Sequence, residues 1–85
     1  MKIKVTAHIK EKQKKTVNIN TDFIRLDAFL KLCDLVQSGG HAKIVIQGGE
    51  VKVNGEICLQ RGRKLRMGDE AEYNNVLCVI GKNED

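Results

Sequence analysis

Arg61, Arg63, Lys64 and Arg66 crowd four cationic side chains into a stretch of six residues, with Gly62 between the first two. Guanidinium groups grip phosphate or carboxylate oxygens through paired N–H donors, and a glycine lets the backbone come close to a partner. Such a segment either holds an anion or is an ordinary solvated loop, and composition alone leaves both readings open. Ser38-Gly39-Gly40 is a second candidate anion site, because amides exposed at a helix start favour negative charge. The same residues also read as a plain N-cap with a tight turn between helices. Arg25, Lys31 and Lys43 add cations at positions that a helical periodicity places away from the apolar faces. Asp27, two residues after Arg25, is expected to orient a basic side chain or cap the following turn.

Catalytic constellations are missing from this pattern. No nucleophile stands with a base, no carboxylate pair suggests acid–base work, and no glycine loop of the phosphate-binding kind is present. Cys33, Cys58 and Cys78 are odd in number and widely spaced inside apolar runs, and neither His8 nor His41 stands at ligand spacing from any of them. They read as reduced packing thiols, with no metal and no cofactor. The chain is therefore expected to bind rather than to catalyse, and to have no small-molecule substrate.

Length and charge set the frame for that binding. A domain of 85 residues buries only about 60–65% of its unfolded surface, which leaves little room for a deep enclosed site. Fifteen Lys plus Arg against 11 Asp plus Glu give a net charge of +4. Residues 1–20 carry six lysines and one glutamate, 57–66 carry four basic and no acidic side chains, and 67–85 hold five acidic residues against one lysine. Positive charge concentrated in this way suits a polyanion bound on one side. With no long apolar run and no signal-peptide pattern, a soluble cytoplasmic monomer away from membranes is the expectation.

The elements that must position these groups follow from periodicity. Residues 2–9 alternate apolar and polar, 10–15 form a charged loop, and Thr16-Val17-Asn18-Ile19 resume the alternation, which predicts an N-terminal β-hairpin. Its basic loop reads as an auxiliary electrostatic arm or as a soluble tip. Thr21 or Asp22 is expected to cap a helix whose buried face is Leu26, Phe29, Leu30 and Cys33, ending around 34–36. Ser38 is expected to cap a second helix with Ala42, Val45 and Ile46 as its stripe and Gly48-Gly49 as its stop. Val51-Lys52-Val53, Asn54-Gly55 and Ile57-Cys58-Leu59 read as a hairpin with a type I′ turn. Arg61-Gly62-Arg63-Lys64 reads as a basic loop and Gly68-Asp69 as a turn, before two short strands at 71–73 and 76–80. Phe23 and Phe29 are read as core rather than stacking platforms, His41 as incidental, and Tyr73 as either core or stacking platform.

Ile24-Arg25-Leu26-Asp27-x-Phe29-Leu30-Lys31, Ser38-x-x-x-Ala42-Lys43, Gly49-Glu50-Val51-Lys52-Val53-Asn54-Gly55 and Leu65-x-x-Gly68-Asp69 occur in this order. Together they resemble the S4 RNA-binding domain over residues 16–82. Gln37-Ser38-Gly39-Gly40-His41-Ala42-Lys43 with Arg61-Gly62-Arg63-Lys64-Leu65 is similar to the small stand-alone bacterial S4 proteins of the YaaA and YbcJ type. The resemblance implies an α+β fold, with the helical hairpin packed on a small, bent, mostly antiparallel sheet; the N-terminal hairpin strand lies outside the resemblance and is expected to be added to it. Residues 1–85 would form one domain, with 1–15 as an appended strand and basic loop. It also implies binding of structured RNA, with ribosomal RNA favoured and ribosome assembly as the context. Arg25, Lys31, Ser38, Gly39, Gly40, Lys43, Arg61, Arg63, Lys64 and Arg66 would form the contact. One departure is that many S4 domains carry Arg where this chain has Gly39. The rival readings are an adaptor that turns the same basic surface to an acidic protein partner, and a ubiquitin-like sulfur carrier. The carrier would need a terminal Gly-Gly where this chain reads Gly81-Lys82-Asn83-Glu84-Asp85.

Overall fold

Helix α1 spans Leu26–Leu32, and its buried side chains are Leu26, Phe29 and Leu30. With Cys33 they make the expected i, i+3, i+4, i+7 stripe, and all four are at most 2% exposed in a computed structural model of the chain that describes residues 12–82. The helix begins later than the periodicity suggested, because Ile24–Arg25 form the short strand β2. Thr21 does not cap α1: its hydroxyl donates to the Phe23 carbonyl at 2.9 Å. The first helical amides instead find partners far along the chain, Leu26 N–H donating to the Arg63 carbonyl (2.8 Å) and Asp27 N–H to the Arg61 carbonyl (3.1 Å). Backbone carbonyls of a distant loop thus do the capping that a local side chain usually does.

α1 stops at a Schellman turn. Asp34 takes φ +64°, its N–H donates to the Lys31 carbonyl, and Leu35 N–H reaches back to Leu30. Helix α2, Gly39–Gln47, is built as its sequence predicts: Ser38 Oγ accepts from His41 N–H at 3.1 Å, and Ala42, Val45 and Ile46 are buried. Gly49, at φ +78°, closes it with the same kind of turn, its N–H donating to Ile46 and Glu50 N–H to Val45. The left-handed conformation that an L side chain resists explains a glycine there. The two helices pack on each other as a hairpin.

The main sheet runs β1-β7-β6-β3-β4, with β1 Gln13–Ile19, β3 Lys52–Val53, β4 Glu56–Ile57, β6 Glu70–Tyr73 and β7 Val76–Lys82. All its pairings are antiparallel except β1 with β7, which is parallel in the register Gln13↔Val76 to Ile19↔Lys82. The turn joining β3 to β4 has Asn54 at φ +51° and Gly55 at φ +88°, the two positive values of a type I′ turn. β4 ends at Ile57, so Cys58 and Leu59 lie beyond the strand expected to contain them. Asn74 and Asn75 turn β6 into β7 by the same device. Asp69 locks the hairpins together: one carboxylate oxygen accepts from Asn54 Nδ2 (3.2 Å), the other from Arg66 N–H (2.8 Å).

Lys14 and Lys15, expected in a loop, belong to β1. Pairing with β7 satisfies the backbone whatever the side chains are, and the lysines stay exposed on the outermost strand of the described sheet, where charge discourages edge-to-edge association. Lys15 Nζ also donates to the Cys33 carbonyl at 3.0 Å, next to the end of α1. The partner strand expected at 2–9 lies outside the described residues.

The core is wholly apolar among the described residues and is shared by both helices and the sheet. Cys33, Cys58 and Cys78 are buried, free thiols within it. Burial and a hydrogen bond with the Cys78 side chain push the Cys33 thiol far above the usual range, so it stays protonated, which suits packing and not metal ligation or attack.

Candidate nucleic-acid interface

A second, two-stranded sheet decides where the cations go. β2 pairs antiparallel with β5, Lys64–Leu65, setting Ile24 opposite the buried Leu65 and Arg25 opposite Lys64. Lys64 is therefore a strand residue, where the sequence suggested a loop. Together with the two bonds from α1 amides to the Arg61 and Arg63 carbonyls, this pairing fastens the basic loop to the start of α1.

Asp27 is the hub that results. Its side chain is 14% exposed and accepts from Arg25 Nε at 3.2 Å and Arg25 Nη2 at 3.1 Å, in the two-pronged manner of a guanidinium–carboxylate pair. Arg61 Nε lies 3.6 Å from the same carboxylate, and the Ala28 amide donates to it at 2.8 Å. Half-exposed pairs like these contribute under about 1 kcal/mol to stability. Their effect is to hold two guanidiniums side by side, so that one carboxylate partly neutralises them while leaving net positive charge facing out. Gly62 passes close by, an added Cβ coming 3.7 Å from Arg25 Nη2. Asp27 thus orients a basic side chain, one of the two roles expected of it, and also takes the adjacent Ala28 amide.

Arg25, Asp27, Ala28, Lys31 and Gly39 line one depression of about 230 Å³. Three cationic-surface or anion-site positions named from sequence alone, Arg25, Lys31 and Gly39, meet there, and Arg61 joins through Asp27. Ser38 and Gly40 flank Gly39 at the exposed start of α2. The remaining positions are dispersed. Arg63 is exposed in the loop. Lys43 is exposed on α2 and is not among the residues lining the depression of Arg25, Lys31 and Gly39. Arg66 lines a different depression, with Ile19, Thr21, Asp22 and Met67, so the run Arg61-Gly62-Arg63-Lys64-Leu65-Arg66 is split between two places.

Phe23 is a correction. It was read as core, yet it is 38% exposed, and Lys64 Nζ stands 4.8 Å from its ring centroid. The side chain precedes β2 and lies outside the stripe that α1 buries, while Phe29 is fully enclosed. A cation–π contact of this sort is worth about 0.5–1 kcal/mol when exposed, enough to fix Lys64 near Arg25. Tyr73 proves half-buried against the core, with the His41 ring edge-on at 6.4 Å. His41 Nδ1 accepts from Gln37 N–H at 3.3 Å. Among the described residues no three His, Cys, Asp or Glu side chains gather as a metal site would need, and no helix is long and apolar enough to cross a membrane.

The architecture and the motif order agree with what comparison with known proteins finds. The family model described as the S4 domain matches residues 17–80. A Bacillus subtilis (strain 168) protein, "Probable ribosome maturation protein RlbA", is 50% identical over 56 residues, which cover 66% of this chain and 79% of that one. With the match running from the middle of β1 to near the end of β7, the chain belongs to the S4 domain family.

Proposed function

We propose that this chain is a non-catalytic binder of structured RNA, that its target is ribosomal RNA, and that it acts in ribosome assembly. The observation that carries the reading is the meeting of Arg25, Lys31 and Gly39 around one depression, with Arg61 held alongside by Asp27. Phosphates of a folded RNA backbone are the ligand for such a face. Guanidiniums grip their oxygens in pairs, and Lys31 adds a mobile cation. With one aromatic buried and a second half-buried, recognition rests mainly on backbone and shape. Membership of the S4 domain family supports RNA as the partner, and the name of the Bacillus subtilis relative supports the ribosomal context.

Capture of the tagged chain from cells, with and without nuclease, tests this. Enrichment of ribosomal RNA that disappears on nuclease treatment is expected; a protein partner retained after nuclease would favour the adaptor and overturn the RNA reading.

Gly39 supplies a sharper check. A Cβ added there meets nothing within 4 Å, so a long side chain has open space beside Arg25 and Lys31. Gly39→Arg is expected to tighten binding to total ribosomal RNA severalfold, with the melting temperature unchanged or higher. Weaker binding by a variant of native stability would remove the RNA from the start of α2.

A further inference from the structure

Beside the cationic depression lies an apolar one of about 350 Å³, lined by Ile24, Ala28, Lys31 and Leu32. The two share Ala28 and Lys31, so they adjoin. Helical geometry explains the sharing: Ala28, Lys31 and Leu32 stand at i, i+3 and i+4 on the face of α1 opposite its buried stripe. Leu32 is 52% exposed there, and Ile24 is only half-buried on β2. One exposed leucine means little by itself. An apolar seat continuous with a site for an anion means more, because a nucleotide has that same division, a flat apolar-faced base tied through its ribose to a charged phosphate.

Resting on the RNA reading above, we propose that Ile24, Ala28 and Leu32 seat one unpaired base of the bound RNA. The phosphate of the same nucleotide would lie against Arg25 and Lys31. Lys31 serves both halves, its ammonium toward the phosphate and its methylene stem along the base. Phe23, next to Ile24 in the chain, already carries Lys64 over its ring. The depression is shallow and open, which suits one face of a base rather than an enclosed small molecule. The RNA recognised is thus one that presents a bulged or looped-out nucleotide beside a helix, and not a continuous duplex.

The test uses the full chain and total ribosomal RNA. Ultraviolet crosslinking, nuclease digestion and mass spectrometry should leave a nucleotide remnant on the peptide that holds residues 24–32. Leu32→Ser should raise Kd about tenfold while leaving the slope of log affinity against log salt unchanged, since no phosphate contact is lost. Leu32→Phe should keep wild-type affinity. Arg25→Ala, by contrast, should lower the slope. Normal binding by Leu32→Ser, a remnant found only elsewhere, or a lower slope in that variant would overturn the base seat while leaving RNA binding in place. Failure of the wild-type chain to bind ribosomal RNA at all would instead overturn the RNA reading on which the seat rests.

Discussion

Replacing Arg25, Lys31 and Arg61 together by alanine is expected to weaken binding to ribosomal RNA by well over tenfold near physiological salt. Each cation that neutralises a phosphate releases condensed counterions, so each lost contact removes about 0.7–0.9 from the slope of log affinity against log salt. Three contacts should lower the slope by about two to three, and tenfold in Kd already corresponds to about 1.4 kcal/mol. The control is Lys12, Lys14 and Lys52 to alanine, which removes the same charge from exposed positions on or beside the main sheet. A diffuse positive field would make the two triple variants equal. A built site makes the first distinctly worse, while both stay folded at the assay temperature, with losses of melting temperature no larger than their ion pairs account for. The split of the basic run adds a finer expectation: Arg61→Ala costs more than Arg66→Ala, because Arg61 stands on Asp27 and Arg66 lines a separate depression. Equal titrations for the two triple variants, read by filter binding across a salt series, would sink the assignment.

Phe29→Ala is expected to have the largest effect on folding. Its ring is fully enclosed, and truncating a buried phenylalanine costs about 3–5 kcal/mol in lost burial and residual cavity. A small domain holds only about 5–15 kcal/mol in total, so a large share of the stability, from about a fifth upward, would go. For a domain of this size each kcal/mol shifts the melting temperature by about 4–8 °C, which predicts a fall of roughly 12–40 °C by circular dichroism. RNA binding should fail in parallel, since α1 carries Lys31 and anchors Arg25 and the basic loop. Phe23→Ala is the companion. Its ring is partly exposed and gives up mainly the Lys64 contact, so a loss of about 1 kcal/mol is expected. A shift below about 5 °C for Phe29→Ala, or comparable shifts for the two variants, would contradict the packing described.

Local chemistry was legible wherever it closes within a few residues. Ser38 as a cap, Gly49 at φ +78° after α2, and Asn54-Gly55 as a type I′ turn each satisfy their own backbone groups or set their own dihedrals, so residue type alone announces them. The buried stripes of α1 and α2 are equally local, because a 3.6-residue period decides which side chains share a face. The candidate site was legible only as a set of cations. Nothing in the spacing of Arg25, Lys31 and Gly39 says that they surround one depression, nor that Arg61 leaves Arg66 to stand on Asp27.

What sequence by itself determined about this protein, then, is its two helices and their inward faces, its tight turns, its apolar thiols and a basic inventory without catalytic partners. The tertiary structure decided everything that depends on pairing across long separations. The Arg61 and Arg63 carbonyls replace a local cap at α1, β2 pairs with β5 over two residues only, and β1 runs parallel to β7 through lysines that composition assigned to a loop. In each case a backbone donor or acceptor is satisfied by a partner 34 to 63 residues away, whose identity no side chain in the local window encodes. Phe23 and Phe29 show the same division, for one chemical type is core or surface according to which elements close over it.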